Sequence, residues 1–247
     1  MERAKYTLIL LLIFIVQIDI NANYSSEIYL FYDFNKMKEW KALIDQLESI
    51  KDKPNSLILE LVNYQYGYIG WCVGNKKSEE AEIYLALAEK NIEYLEDEQY
   101  NLSMVNAYKS AFYGLRIGLD VWLAPFLGHK SSDCAKLAIE LDANNPFGFI
   151  QLANIQNYMP SIFGGSKSDA LKYYLKAKEL MEKNPGFIKE EWNYISLLTS
   201  IGKVYWDMND LQTTKLYFEK IMQITSQYDW VKKEMYPQLL KEINTKK

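Results

Sequence analysis

The sequence predicts an all-α chain built from stacked helical hairpins. Three observations carry this. Apolar residues recur at helical spacing along most of the chain, and no useful length shows the alternation of a half-buried strand. Five of the six prolines fall between the periodic segments or at the start of one, with Pro237 alone inside the closing segment. Ala170, Tyr174 and Ala177 form a small-large-small stripe at i, i+4 and i+7. Such a stripe lets a neighbouring helix approach at the two alanines and grip the ring between them.

Taken in order, the chain begins with a segment that reads as a secretory signal over residues 1–22. Arg3 and Lys5 supply a positive start, residues 6–16 form an apolar run of eleven, and Ala22 offers a small residue for cleavage. The run is too short for a membrane span, which needs about 20 apolar residues. Residues 23–247 then form a single helical domain with no stable membrane insertion after cleavage, exported to the periplasm, the cell surface or the medium.

An opening helix is expected near residues 35–50. Four hairpins follow, each with a first helix A and a second helix B. They pair residues 55–73 with 78–95, 102–118 with 131–142, 146–159 with 166–183, and 189–208 with 210–227. A closing helix follows at 230–243. The B helices begin with polar starts. Ser166 with Asp169 makes a capping box. Ser78 before Glu79 and Glu80, and Ser132 before Asp133, put acid in a first turn where the helix dipole favours it. Asn209 with Gln212 does similar work. Asn144-Asn145-Pro146 and Asn184-Pro185-Gly186 mark stops.

In the fourth hairpin Leu198, Ile201, Gly202, Tyr205 and Phe218 fall at the spacing of a repeat, with Gly202 where the two helices cross. Ala170, Tyr174 and Ala177 fill the matching places in the third. On these residues the chain resembles the tetratricopeptide-repeat superfamily over nearly all of residues 23–247. It departs from the pattern at Thr214 and Ile221, where alanine is usual, and by lengthened corners at 120–130 and 160–165. The Pro160-Ser-Ile-Phe-Gly-Gly165 corner is also similar to exported bacterial repeat proteins, among them periplasmic ones that accompany tripartite solute transporters. The resemblance implies a right-handed α-α superhelix with a concave groove lined by the A helices. On that pattern the groove takes Ser196, Thr199, Lys203, Trp206 and Asp207 from the fourth hairpin, and Ile150, Ala153 and Asn157 from the third.

Composition narrows the function. The net charge is -4, and Arg116 is the only arginine beyond Arg3, so a phosphate-gripping surface for nucleic acid is not expected. Lysines alternate with glutamates, as on solvated helix faces. Cys72 and Cys134 read as two separate small apolar side chains rather than a disulfide, and one histidine with two distant thiols makes no metal site. No nucleophile elbow, phosphate loop, zinc helix or dinucleotide fingerprint is present. Gly164-Gly165 reads as a tight corner, and His129 as a loop histidine. The aromatic insertion from Trp122 to Phe126 reads as a lid over the core or, second, as an exposed binding lip.

The expectation is therefore a non-enzymatic scaffold without a cofactor. It binds a protein or peptide in its concave groove through Asn157, Lys203, Trp206 and Asp207, with Lys203 and Trp206 either a recognition pair or, equally, a solvated lysine and an indole packed on the closing helix. A small-solute binder or transporter accessory is the alternative.

Overall fold

The structure is a computed structural model describing residues 24–189, 191–225 and 227–245. The expected signal segment lies outside them. Among the described residues the chain is helical with no strand, and no helix is long and apolar enough to cross a membrane. The helices are α1 (Tyr24–Asp33), α2 (Met37–Ser49), α3 (Asn55–Gly74), α4 (Ser78–Asp97), α5 (Leu102–Leu119), α6 (Ala124–Leu141), α7 (Pro146–Tyr158), α8 (Lys167–Glu182), α9 (Trp192–Asp207), α10 (Leu211–Ile224) and α11 (Tyr236–Thr245). A π-helical turn, Trp230–Met235, leads into α11. The pairs α3–α4, α5–α6, α7–α8 and α9–α10 are the four expected hairpins, stacked in chain order.

The alanine stripe does what its spacing predicts. Ala170, Tyr174 and Ala177 are buried against α7, and the Tyr174 phenol donates to Asn154 Oδ1 at 2.6 Å. Ser166 caps α8 by accepting from the Asp169 amide at 3.1 Å. A Cβ on Gly202 would come 2.8 Å from Cε1 of Phe218, so glycine is what lets α9 and α10 cross that closely. At the third corner the two glycines differ in purpose. Gly164 has φ +98°, which favours glycine. Gly165 has no such φ, but a Cβ there would lie 1.8 Å from the Met159 carbonyl oxygen.

Several boundaries differ from expectation. Helix α6 begins at Ala124, not at residue 131. Pro125 suits a first helical turn, where its missing N–H has no partner to lose. Asp120 accepts from the Trp122 amide to close a short 3₁₀ corner before it. Ser131 and Ser132 are therefore mid-helix, and Ser131 is buried with its hydroxyl donated to the Ser110 carbonyl at 2.9 Å. Asp210, not Asn209, caps α10 by accepting from the Thr213 amide. Ser78 is the first residue of α4 and makes no cap bond. Cys72 on α3 and Cys134 on α6 are both free thiols.

Helix α1 was not anticipated, and it matters for the site. It lies against α9, at the opposite end of the chain. Ser25 donates to Glu191 at 2.8 Å, Thr225 donates to buried Asp33, and the Tyr32 and Tyr228 rings stack at 4.9 Å. With α2 on α3, this N-terminal pair joins the first hairpin to the last.

Candidate functional site

The four A helices (α3, α5, α7 and α9) converge on one layer of side chains. Tyr66 on α3 lies 5.9 Å from the Tyr108 ring of α5 and 6.2 Å from the Trp192 ring of α9. Its hydroxyl is 3.4 Å from Asn154 Nδ2 on α7. Beside it, Tyr108 and Asn193 both donate to Asn63 Oδ1 at 3.0 Å. Trp40 of α2 meets Trp192 edge-on at 5.3 Å, and Tyr32 of α1 contacts both indoles. Gly67 makes this possible, because a Cβ there would sit 2.7 to 2.9 Å from the two indoles. At this level the space between the A helices is filled by side chains. Two buried donors in the layer, Trp192 Nε1 and Gln151 Nε2, have no acceptor among the described residues.

One helical turn further on, the surface opens. Gly70 follows Tyr66 by four residues on the same face of α3. It is exposed, and nothing lies within 4 Å of the Cβ it lacks. Tyr158 follows Asn154 by four residues on α7 and is 73% exposed. Lys203 stands on α9, its ammonium 5.3 Å from the centroid of the Trp230 ring. Around them Lys167 donates to Asn157 Oδ1 and to Asp207 Oδ2, each at 2.7 Å. The result is a polar and aromatic rim above an aromatic floor.

The charged groups of this rim act on one another. The Lys203 side chain is reached by solvent, yet burial of its ammonium lowers the pKa; Asp207 opposes that shift and Lys167 adds to it. Among the described residues Lys203 makes no hydrogen bond or ion pair, and its ammonium lies against the Trp230 face. The Tyr158 phenol is pushed up, first by burial and then by Tyr66 and Asp207. Both side chains are nonetheless open to solvent.

Of the four residues expected to bind, the structure brings three to this rim: Asn157, Lys203 and Asp207. The fourth is turned away. Trp206 donates its Nε1 to Glu242 Oε2 on α11 at 2.7 Å and lies edge-on to Phe218 at 5.9 Å. The Lys203–Trp206 pair is therefore replaced by Lys203–Trp230, because the C-terminal segment folds back over α9. Ala153 is fully buried, and Thr199 is buried with its hydroxyl on the Ile195 carbonyl, so neither lines an open surface. The sequence reading missed Tyr158, Lys167 and Trp230. Tyr158 follows Asn157 directly and could have been found from its spacing to Asn154; Trp230 carries no local signal.

His129 is exposed on α6. The Trp122–Phe126 insertion is no lid: Trp122 is 82% and Phe126 67% exposed. Among the described residues no group of three or more His, Cys, Asp or Glu could hold a metal ion.

No family model matches the sequence, and no curated protein matches it. Among solved structures, the HusA haemophore from Porphyromonas gingivalis is similar, with a TM-score of 0.62 at 18% identity, over 77% of this chain and 96% of that one. BtubC (BKLC) from P. vanneervenii aligns more loosely, with a TM-score of 0.41 at 15% identity over 78% of this chain and 73% of that one. The first likeness is one of fold; the second is too loose to carry an argument.

Proposed function

We propose that this chain is an exported, non-catalytic binding protein with degenerate tetratricopeptide-like hairpins. Its ligand is a flat apolar molecule bearing an anionic group, held at the rim of Gly70, Tyr158 and Lys203. The observation that carries this is Lys203: a cation without an ion pair, in a concave and partly desolvated place, flanked by the Trp230 ring. A carboxylate arriving there gains a charge-assisted hydrogen bond, while an apolar ring gains the exposed faces of Tyr158 and the floor beneath. A porphyrin such as haem has both features, and the fold shared with a haemophore supports that class of ligand. The leader-like start of the chain supports export.

A protein or peptide partner is the second reading. A peptide threaded along the whole concave face would meet the layer around Tyr66, which favours a partner confined to the rim.

Titration with hemin, followed by the Soret band, tests the first reading. Saturable binding is expected, weakened roughly 10- to 100-fold by Lys203→Ala, the scale of one hydrogen bond to a charged group. Gly70→Trp fills the open turn and should block binding while the helical signal is retained. Hemin binding untouched by both variants would remove the rim from the site. Absence of saturable hemin binding would remove this ligand class.

A further inference from the structure

The two lengthened corners share a property that the shorter ones lack. The α5–α6 corner exposes Val121 (69%), Trp122 (82%) and Phe126 (67%); the α7–α8 corner exposes Ile162 (83%) and Phe163 (72%), beside Tyr158. The corners of the first and fourth hairpins instead carry Asn75, Lys76 and Lys77, and Asn209 and Asp210, with Met208 the one large apolar side chain exposed there. Among the four hairpin corners the exposed rings are thus confined to the two insertions. They do not plug the core, and the ligand reading above uses only Tyr158.

These corners form one edge. Helices α5 and α7 are neighbours running in the same direction, and their starts are level, since Asn145 at the head of α7 donates to Ser103 at the head of α5 at 2.8 Å. The three rings Trp122, Phe126 and Phe163 at these exposures present about 350–500 Å², and Val121 with Ile162 add roughly 200 Å² more. The largest apolar patch on a typical monomer covers about 300–600 Å². A standard interface takes about 800 Å² from each partner. The edge therefore approaches the area of one side of a standard dimer.

Its shape names the partner. Helix α5 has 18 residues and α7 has 13. Counted from the level pair Ser103 and Asn145, α5 ends three residues, about 4–5 Å, beyond the end of α7. A step of this kind is self-complementary under a two-fold axis: the raised corner of one copy seats on the recessed corner of the other, and the reverse holds at the same time. A flat lipid surface would reach only the raised corner.

We infer that this edge is an isologous dimer interface, with Val121, Trp122 and Phe126 of one copy seated on Ile162 and Phe163 of a second copy. The inference does not depend on the ligand. Sedimentation equilibrium from micromolar to submillimolar protein tests it. The wild-type chain is expected at twice its monomer mass, and the Trp122→Ser/Phe163→Ser variant at monomer mass with an unchanged helical circular-dichroism spectrum. Mixed Trp122→Cys and Phe163→Cys chains should cross-link to each other on oxidation. A wild-type monomer throughout the range, a dimer that survives the double variant, or cross-links formed only between like variants would overturn the inference. So would monomers that float with phosphatidylcholine vesicles, which would assign the edge to lipid.

Discussion

The hydroxyls of Tyr32 and Tyr228, 196 residues apart in the chain, share a hydrogen bond of 2.6 Å while their rings stack at 4.9 Å. This contact ties α1 to the segment beyond α10, and so ties the first hairpin to the last. The bond and the stack are separable. Tyr32→Phe and Tyr228→Phe each keep the ring and lose the bond, at a cost of about 1 kcal/mol. In urea denaturation the double variant should cost no more than either single one. Additive losses would show that the two hydroxyls act independently.

Gly67 and Gly70 lie one turn apart on α3 and should respond in opposite directions to alanine. At Gly67 the new methyl meets Trp40 and Trp192 at under 3 Å, so Gly67→Ala is expected to destabilise by about 1–3 kcal/mol. At Gly70 it meets nothing, and Gly70→Ala should stabilise by about 0.5–1 kcal/mol through helix propensity. Thermal melts of the two variants check this. Equal and small effects would contradict the close approach of the two indoles.

Trp40 and Trp192 also differ in their polar ends. Trp40 donates from Nε1 to the Tyr64 carbonyl at 3.0 Å in a buried place. Trp192 Nε1 has no acceptor among the described residues. Trp40→Phe therefore leaves a buried carbonyl without this donor and should cost about 1–3 kcal/mol beyond the lost ring area. Trp192→Phe removes an unsatisfied donor and should cost only the ring area. A larger loss at Trp192 in chemical denaturation would reveal a partner for its indole nitrogen.

Glu182 joins three helices. It accepts from Tyr194 on α9 at 2.6 Å and from Lys220 on α10 at 2.9 Å, and pairs with Lys178 on its own helix at 2.8 Å. Burial alone would raise its pKa, but Lys178, Tyr194 and Lys220 together hold it down to about 2. A carboxylate with a depressed folded-state pKa contributes stability above its unfolded value, near 4.5, and that contribution is lost as pH falls from there towards 2. Glu182→Gln should flatten the stability profile across that window. Because the side chain is about one-third exposed, the screened effect is about 1 kcal/mol. A wild-type profile already flat between pH 4.5 and 2 would contradict the network.

Much of this architecture was legible in the chain. The Ala170–Tyr174–Ala177 stripe, the Ser166–Asp169 cap and the small residue at Gly202 each act within a hairpin, over separations short enough for spacing to encode. The reading failed where a partner comes from far away or where a rule has an exception. Pro125 was taken as a break, although proline is at ease in a first helical turn, so α6 begins seven residues earlier than expected. Three of the four expected site residues gather at one rim, because they occupy neighbouring A-helix ends. Trp206 does not join them, since α11 offers it Glu242.

By itself, then, the sequence determined the secondary structure, the hairpin order and the charge balance, all of which follow from local periodicity and composition. Tertiary structure alone decided three things. Helix α1 closes onto the last hairpin, and the space between the A helices is filled at the level of Tyr66. Trp230, not Trp206, receives the Lys203 ammonium. The aromatic insertions stand in solvent rather than in the core. Each depends on which surfaces meet between separate elements, from 27 residues apart for Lys203 and Trp230 to 196 for Tyr32 and Tyr228, and no periodicity within one helix carries that information.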